Sequence, residues 1–148
     1  MTNAAQRVKT LIQDMAEDRK HYHTLATLLE KQRHHIVARD AAALDALNVQ
    51  IMAQYQLLSQ SSQQRYQILN QLGIDANTQG MKTLIARLPE AHQPSVSALW
   101  QGLQQQASDC QTANEYNGAL MNMQQEILGN LLNSSEPENW LYQQGGGW

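Results

Sequence analysis

The five residues NEYNG, at positions 114–118, interrupt a segment whose hydrophobic spacing otherwise indicates one long helix. Asn-Gly is a dipeptide typical of tight hairpin turns. Apolar residues nevertheless keep a helical period on both sides of it. The helix therefore either stops at Gly118 or continues through it with a local weak point. In the second case Asn114 and Asn117 occupy seam positions where the pattern favours leucine.

The composition of the chain favours long, thin helices over a large globular core. Only 42% of the 148 residues are hydrophobic, 5% are aromatic, and there is no Phe. Val, Ile and Thr are sparse and never alternate with polar residues over the length of a strand. We therefore expect an all-α protein.

The first helical segment runs from about Thr2 to Ala38 and carries a coiled-coil seam. Its apolar residues recur every seven positions at Val8, Met15, Tyr22, Leu29 and Ile36. Asp18 and Gln32 fall at seam positions that should be apolar. The seam is therefore imperfect, and we expect it to face more than one partner helix.

Two further long helices follow. Asp40 can cap the second through its carboxylate, and Gly73 suits the position just past its end, with Ile74 able to fold back onto the last turn. Arg65 interrupts the apolar series of this helix. Residues 75–94 read as a loop carrying one short helix, and the third long helix begins at Pro94 or Ser95.

These segments predict an elongated antiparallel helical hairpin plus a third long helix, a coiled-coil-like three-helix bundle with a short connecting helix. We assign residues 1–133 to this helical domain and residues 134–148 to a flexible C-terminal tail. The tail lacks a helical period and contains Pro137 and a glycine run. Its aromatic residues suggest a docking motif, although unremarkable tail sequence is the alternative.

Charge and hydropathy narrow the possible partners. A net charge of −3 argues against a nucleic-acid or anionic-membrane surface. The basic run at residues 31–39 is bordered by acidic residues, which favours a solvated helix end over a phosphate-binding patch. No apolar run approaches the roughly 20 residues that span a bilayer, and the N-terminus lacks a signal-peptide core. We expect a cytoplasmic protein without membrane insertion.

Catalytic and metal-binding patterns are not found in the sequence. The five histidines do not form an H-x3-H pair on one helical face, and His21 and His23 point away from each other on a helix. Cys110 fits the helical core as a small apolar side chain. We therefore predict no enzyme activity, no bound metal and no cofactor.

Residues 111–132, QTANEYNGALMNMQQEILGNLL, resemble the N-x-x-N-G-x-L-L segment in the last helix of the FlgN-like flagellar export chaperones. Residues 25–58 are similar to the first hairpin of that family, with Glu30 and Asp40 at matching positions. Arg65 and Trp100 also stand where an arginine and a tryptophan are common in the family. The resemblance covers most of the chain.

The resemblance implies a chaperone that escorts hook-filament junction proteins to the type III export apparatus. Its last helix would hold the amphipathic C-terminal segments of these clients. From the residues themselves we expect Gly118 to weaken the helix so that residues 119–132 can change partner, with a helix kink or a polar register mark as the alternative. The implied client-binding residues are Asn114, Asn117, Gly118, Leu120, Met121, Ile127, Leu128 and Leu131. In the tail, Trp140, Leu141 and Tyr142 would dock on the cytosolic part of the export gate.

A structural coiled-coil adaptor without an exported client is the alternative interpretation. The helical pattern fits it equally well. Asn117-Gly118, the Met-bearing last helix and the aromatic tail together favour the chaperone.

Overall fold

The computed structural model describes residues 3–135, within which all regular secondary structure is helical. In chain order the helices are α1 (Ala4–Ala38), α2 (Ala41–Gln71), α3 (Thr78–Ala86) and α4 (Gln93–Ser135). Helices α1 and α2 form a hairpin, α3 lies in the connection, and α4 is the third long helix. The predicted all-α fold, with its hairpin, third long helix and short connecting helix, is confirmed.

Helix α1 is the centre of the fold. It packs against both α2 and α4, whereas α2 and α4 make few direct contacts in the described part of the chain. Helix α4 runs parallel to α1, because Gln106 donates a hydrogen bond to the carbonyl of Arg19 (3.2 Å) and Asn117 donates one to the carbonyl of Leu29 (2.8 Å). The imperfect seam of α1 therefore serves two partner helices, as predicted.

The hairpin turn is built by two adjacent residues. Arg39 takes the left-handed conformation (φ 57°) and ends α1. Asp40 then accepts a hydrogen bond on its carboxylate from the backbone N–H of Ala43 (3.1 Å), which satisfies a first-turn amide of α2. The predicted cap is confirmed.

The end of α2 also follows its sequence signal. Gly73 has a φ of 72°, a left-handed conformation that suits glycine at this position. The next residue, Ile74, donates its N–H to the carbonyl of Leu69 (2.9 Å) and buries its side chain, as expected. The chain is thereby turned toward α3.

Helix α3 contributes two buried apolar side chains to the core. Asn77 caps it by accepting a hydrogen bond from the N–H of Gly80 (2.8 Å). Gly80 lies inside the helix, where a Cβ atom would collide with the carbonyl of Asp75. Met81 and Leu84 are buried, which confirms the short helix predicted in this connection.

The apolar core consists of two clusters along the length of α1. The first, at the α3 end, is formed by Leu11, Met15, Leu69, Ile74, Met81, Leu84 and Leu103. The second, nearer the hairpin turn, is formed by Leu25, Leu28, Leu29, Leu47, Ile51, Leu58 and Cys110. Helix α4 contributes one buried residue to each cluster, Leu103 and Cys110, and it packs chiefly against α1.

Asp18, one of the two irregular seam residues of α1, forms a polar layer between the helices. Its buried carboxylate accepts hydrogen bonds from Ser61 (2.8 Å) and Arg65 (3.3 Å) of α2. The Arg65 guanidinium also lies 5.5 Å from the ring centroid of Trp100 on α4. This explains why an arginine interrupts the apolar series of α2.

Gln32, the other irregular seam residue, forms a second polar layer two heptads further along α1. Its side-chain amide donates to Asn48 Oδ1 of α2 (2.9 Å), and its carbonyl oxygen accepts from Asn117 Nδ2 of α4 (2.9 Å). Asp18 therefore makes its polar contacts to α2, whereas Gln32 makes them to both α2 and α4. Such contacts fix the axial register of helices whose apolar surfaces alone would tolerate sliding.

Candidate functional site

Helix α4 does not stop at Gly118. It continues without interruption from Gln93 to Ser135, so the Asn-Gly dipeptide is helical here. Gly118 is exposed, and a Cβ atom built on it would meet nothing within 4 Å. Close backbone approach is therefore not the reason for this glycine. What it does change is helix stability, because glycine in a helix interior is about 1 kcal/mol less favourable than alanine.

Asn117 is held against α1. It is 3% exposed, and its side-chain amide donates to the carbonyl of Leu29 (2.8 Å) as well as to Gln32. The side chain thus acts as a polar register mark inside the protein. The prediction that Asn114 also lies on the packed seam is wrong, because Asn114 is exposed on the edge of α4 that faces α2.

The other predicted client-binding residues follow α4 beyond Asn117. Leu120 is half-buried, whereas Met121 is 39% and Ile127 46% exposed. The side chains of Leu128 and Leu131 lie outside the described residues, although both positions belong to α4. The predicted docking residues Trp140, Leu141 and Tyr142 also lie outside the described range, 3–135.

The distal part of α4 extends beyond the hairpin formed by α1 and α2. Met121 lies in a groove with Ile36, close to the end of α1 at Ala38, and with Leu44 at the start of α2. From there α4 continues to Ser135, about 20 Å further at 1.5 Å per residue. The hairpin therefore cannot cover the full length of α4.

Two exposed apolar residues of α4 were missed by the sequence reasoning. Tyr116 is 57% and Met123 55% exposed. With Leu120 and Ile127 they follow a spacing of four, three and four residues, which places all four side chains on one side of the helix. That spacing was visible in the sequence, but the adjacent stripe that packs on α1 obscured it.

Cys110 is buried, 3.8 Å from the carbonyl oxygen of Tyr22. Burial, and next the negative charge of Asp109, raise the pKa of its thiol. A thiol with a raised pKa is a poor nucleophile at neutral pH. The placement of Cys110 in the helical core agrees with the prediction made for it.

The basic run on α1 lies near the hairpin turn. Arg33 pairs with Glu30 at 3.7 Å, and both side chains are largely exposed.

Residues 3–135 contain no cluster of three or more His, Cys, Asp or Glu side chains that could hold a metal ion. In the same range no helix is both long and apolar enough to cross a membrane.

Comparison with known proteins places these features in a family. The family model described as FlgN protein matches residues 1–146 of the chain. The chain belongs to the FlgN family. A FlgN-family protein is a flagellar export chaperone, and that general role applies to this chain.

The fold is also similar to that of a solved member of this family. A Pseudomonas aeruginosa protein described as a flagella synthesis protein FlgN superposes with a TM-score of 0.70 at 27% sequence identity. The alignment covers 84% of this chain and 94% of the Pseudomonas chain. A search of curated proteins gave no match.

Proposed function

We propose that this FlgN-family protein binds the C-terminal segments of hook-filament junction proteins in the cytoplasm, keeps them unassembled and delivers them to the export gate. The observation that carries the proposal is the distal part of α4, which extends past the hairpin with exposed apolar side chains. A surface of this kind is costly in water unless a partner covers it.

An amphipathic client helix would bury these side chains. Full burial of a Met or Ile side chain contributes about 1.5–3 kcal/mol relative to full exposure. Met121, Met123 and Ile127 are roughly half exposed, so each would contribute about 1 kcal/mol. The summed free energy of burial is modest once the entropy that the client loses on becoming ordered is subtracted. A modest net affinity suits a complex that must release its client. Methionine side chains also adapt to clients of different shape.

Calorimetric titration of the full chain with C-terminal segments of hook-filament junction proteins tests this site. Ile127→Asp should weaken binding by about tenfold or more, because it places a carboxylate in an apolar contact. Val49→Asp is the matched control, since Val49 is 70% exposed on α2, a helix that makes few contacts with α4. The sequence also assigns Leu128 and Leu131 to the client-binding residues, so Leu128→Asp should act like Ile127→Asp.

The adaptor alternative makes a different prediction for the same measurement. An adaptor would leave the junction-protein segments unbound while retaining a structural partner through its helical seams. Absence of binding by folded wild-type protein would therefore contradict the proposed clients.

Delivery is proposed to use the tail. Pro137 separates Trp140, Leu141 and Tyr142 from α4 in the sequence, so an aromatic anchor there can act independently of the client surface. Deletion of residues 138–148 should leave client affinity nearly unchanged and weaken docking of the complex to the cytosolic part of the export gate. Tyr142→Ala should give the same effect in part, because Trp140 and Leu141 share the anchor. Loss of client binding with gate docking retained would reverse the two assignments.

A further inference from the structure

A row of four apolar residues runs along one side of α4: Tyr116, Leu120, Met123 and Ile127. We call it the α4 edge row. Three of its members are between 46% and 57% exposed, and Leu120 is half-buried. The spacing of four, three and four residues is that of alternating d and a positions in a coiled-coil seam. It extends over about 16 Å, three turns of helix.

The α4 edge row lies on the side of α4 that faces away from α2. Tyr116 lines a groove of about 430 Å3 whose opposite wall includes Glu30 and Arg33 of α1. Met121, by contrast, lines a groove with Leu44 on the α2 side. A partner in the first groove would therefore contact α1 and α4 without displacing α2.

The charges around this edge are of one sign on α4. No lysine or arginine occurs after Arg87, so the charged residues of α4 are Asp109, Glu115 and Glu126. Glu126 directly precedes Ile127 and takes a position that flanks the row, equivalent to g in a heptad. A partner helix with lysine or arginine beside its apolar face would complement this flank.

We propose that the α4 edge row binds a client helix whose apolar face is flanked by basic residues. This deepens the proposed chaperone function and rests on it. A second copy of the chain is a poorer occupant, because its own α4 would bring acidic residues against Glu126. Residues 136–148 of this chain are a poor occupant for the same reason, since they contain Glu136 and Glu138 and no basic residue.

Two designed peptides test the charge preference. Both carry the same leucine seam and helix length, and they differ only in having lysine or glutamate at the flanking positions. Calorimetric titration into the full chain should show tighter binding of the lysine peptide, by about two- to fivefold for each flanking pair. Raising the salt concentration should reduce the difference. The double variant Glu115→Gln/Glu126→Gln should lose most of it, whereas Glu90→Gln, at an exposed site before α4, should not.

The location of the site is tested with variants of matched exposure. Met123→Asp should weaken binding of the lysine peptide about tenfold or more, and Met123→Ala about threefold. Met52, which is 56% exposed on α2 compared with 55% for Met123, provides the control Met52→Asp. Circular dichroism on each variant confirms that the helical content is unchanged.

Each outcome decides one part of the proposal. Equal binding of the two peptides would overturn the charge preference, and binding that survives Met123→Asp in folded protein would overturn the location. Self-association of wild type that Met123→Asp abolishes, without peptide binding, would assign the row to a second copy instead. Junction-protein segments that bind independently of Met123 would leave the proposed function standing and refute this surface. Peptide binding at Met123 without junction-protein binding would support this surface and refute the proposed clients.

Discussion

The buried ion pair between Asp18 and Arg65 allows a quantitative test of how the three helices are held together. The Asp18 side chain is 4% exposed and the Arg65 side chain 18%, at 3.3 Å from each other. Ser61 is the second hydrogen-bond donor to Asp18, and Trp100 lies beside the guanidinium. Asp18→Leu removes the carboxylate and leaves Arg65 largely buried without its charged partner.

We expect Asp18→Leu to lower the free energy of unfolding by about 3 kcal/mol. Breaking a buried pair by removing one partner costs about 3–5 kcal/mol. The lower end applies because Arg65 retains some contact with solvent and with Trp100. The total stability of a domain is about 5–15 kcal/mol, so this change is a large part of it. The double variant Asp18→Leu/Arg65→Met removes both charges and should recover most of the loss.

Urea unfolding followed by circular dichroism at 222 nm provides the measurement, with linear extrapolation to water. The exposed pair Glu17–Lys20 is the control, because its atoms are also 3.3 Å apart but its side chains are 61% and 71% exposed. Glu17→Ala should cost less than about 1 kcal/mol. Additive effects of Asp18→Leu and Arg65→Met, or an Asp18→Leu cost no larger than that of the control, would refute this role for the pair.

Further predictions concern single positions. Gly118→Ala should raise the free energy of unfolding by up to about 1 kcal/mol, since the site is helical and open, and should slow client exchange in stopped-flow measurements. Burial, and then the charge of Asp18, raise the pKa of Asp14 above its ordinary 3.8 despite the opposing effect of Arg65. The folded state therefore binds this proton more tightly than the unfolded chain does. As the pH rises from the pKa of Asp14 in the unfolded chain to its higher pKa in the folded protein, the free energy of unfolding of wild type should fall relative to that of Asp14→Asn. Urea unfolding at several pH values measures this difference. Cys110 should react with a thiol reagent slowly in the folded protein and rapidly in urea, because burial raises its pKa.

Features that depend on local sequence were predicted from it. The Asp40 cap and the Gly73 helix end involve hydrogen bonds between residues only three to five positions apart. Their geometry follows from the backbone preferences of Asp and Gly. Asp18 and Gln32 were recognised as irregularities of the α1 seam, but their partners were not. Those partners are distant in the sequence, and no local pattern identifies which polar side chains meet across helices.

The candidate site was predicted only in part, because it too depends on contacts between helices that are distant in the sequence. The family motif drew attention to distal α4, where Met121 and Ile127 are exposed. Asn117 carries the motif but directs its amide into α1, a contact that requires knowledge of the α1–α4 register. Tyr116 and Met123 were not predicted because this part of α4 has two apolar sides, one packed on α1 and one exposed. The sequence pattern was assigned to the packed side alone.

Hydrogen exchange of the full chain, with and without a C-terminal segment of a hook-filament junction protein, tests the central claim most directly. The measurement locates the client without any substitution, because amides in a helix exchange more slowly when a partner stabilises it. Binding of the client to distal α4 predicts that added protection concentrates in α4 from Tyr116 toward Ser135, with little change in α2. Saturating binding that protects α2 and leaves this part of α4 unchanged would contradict it.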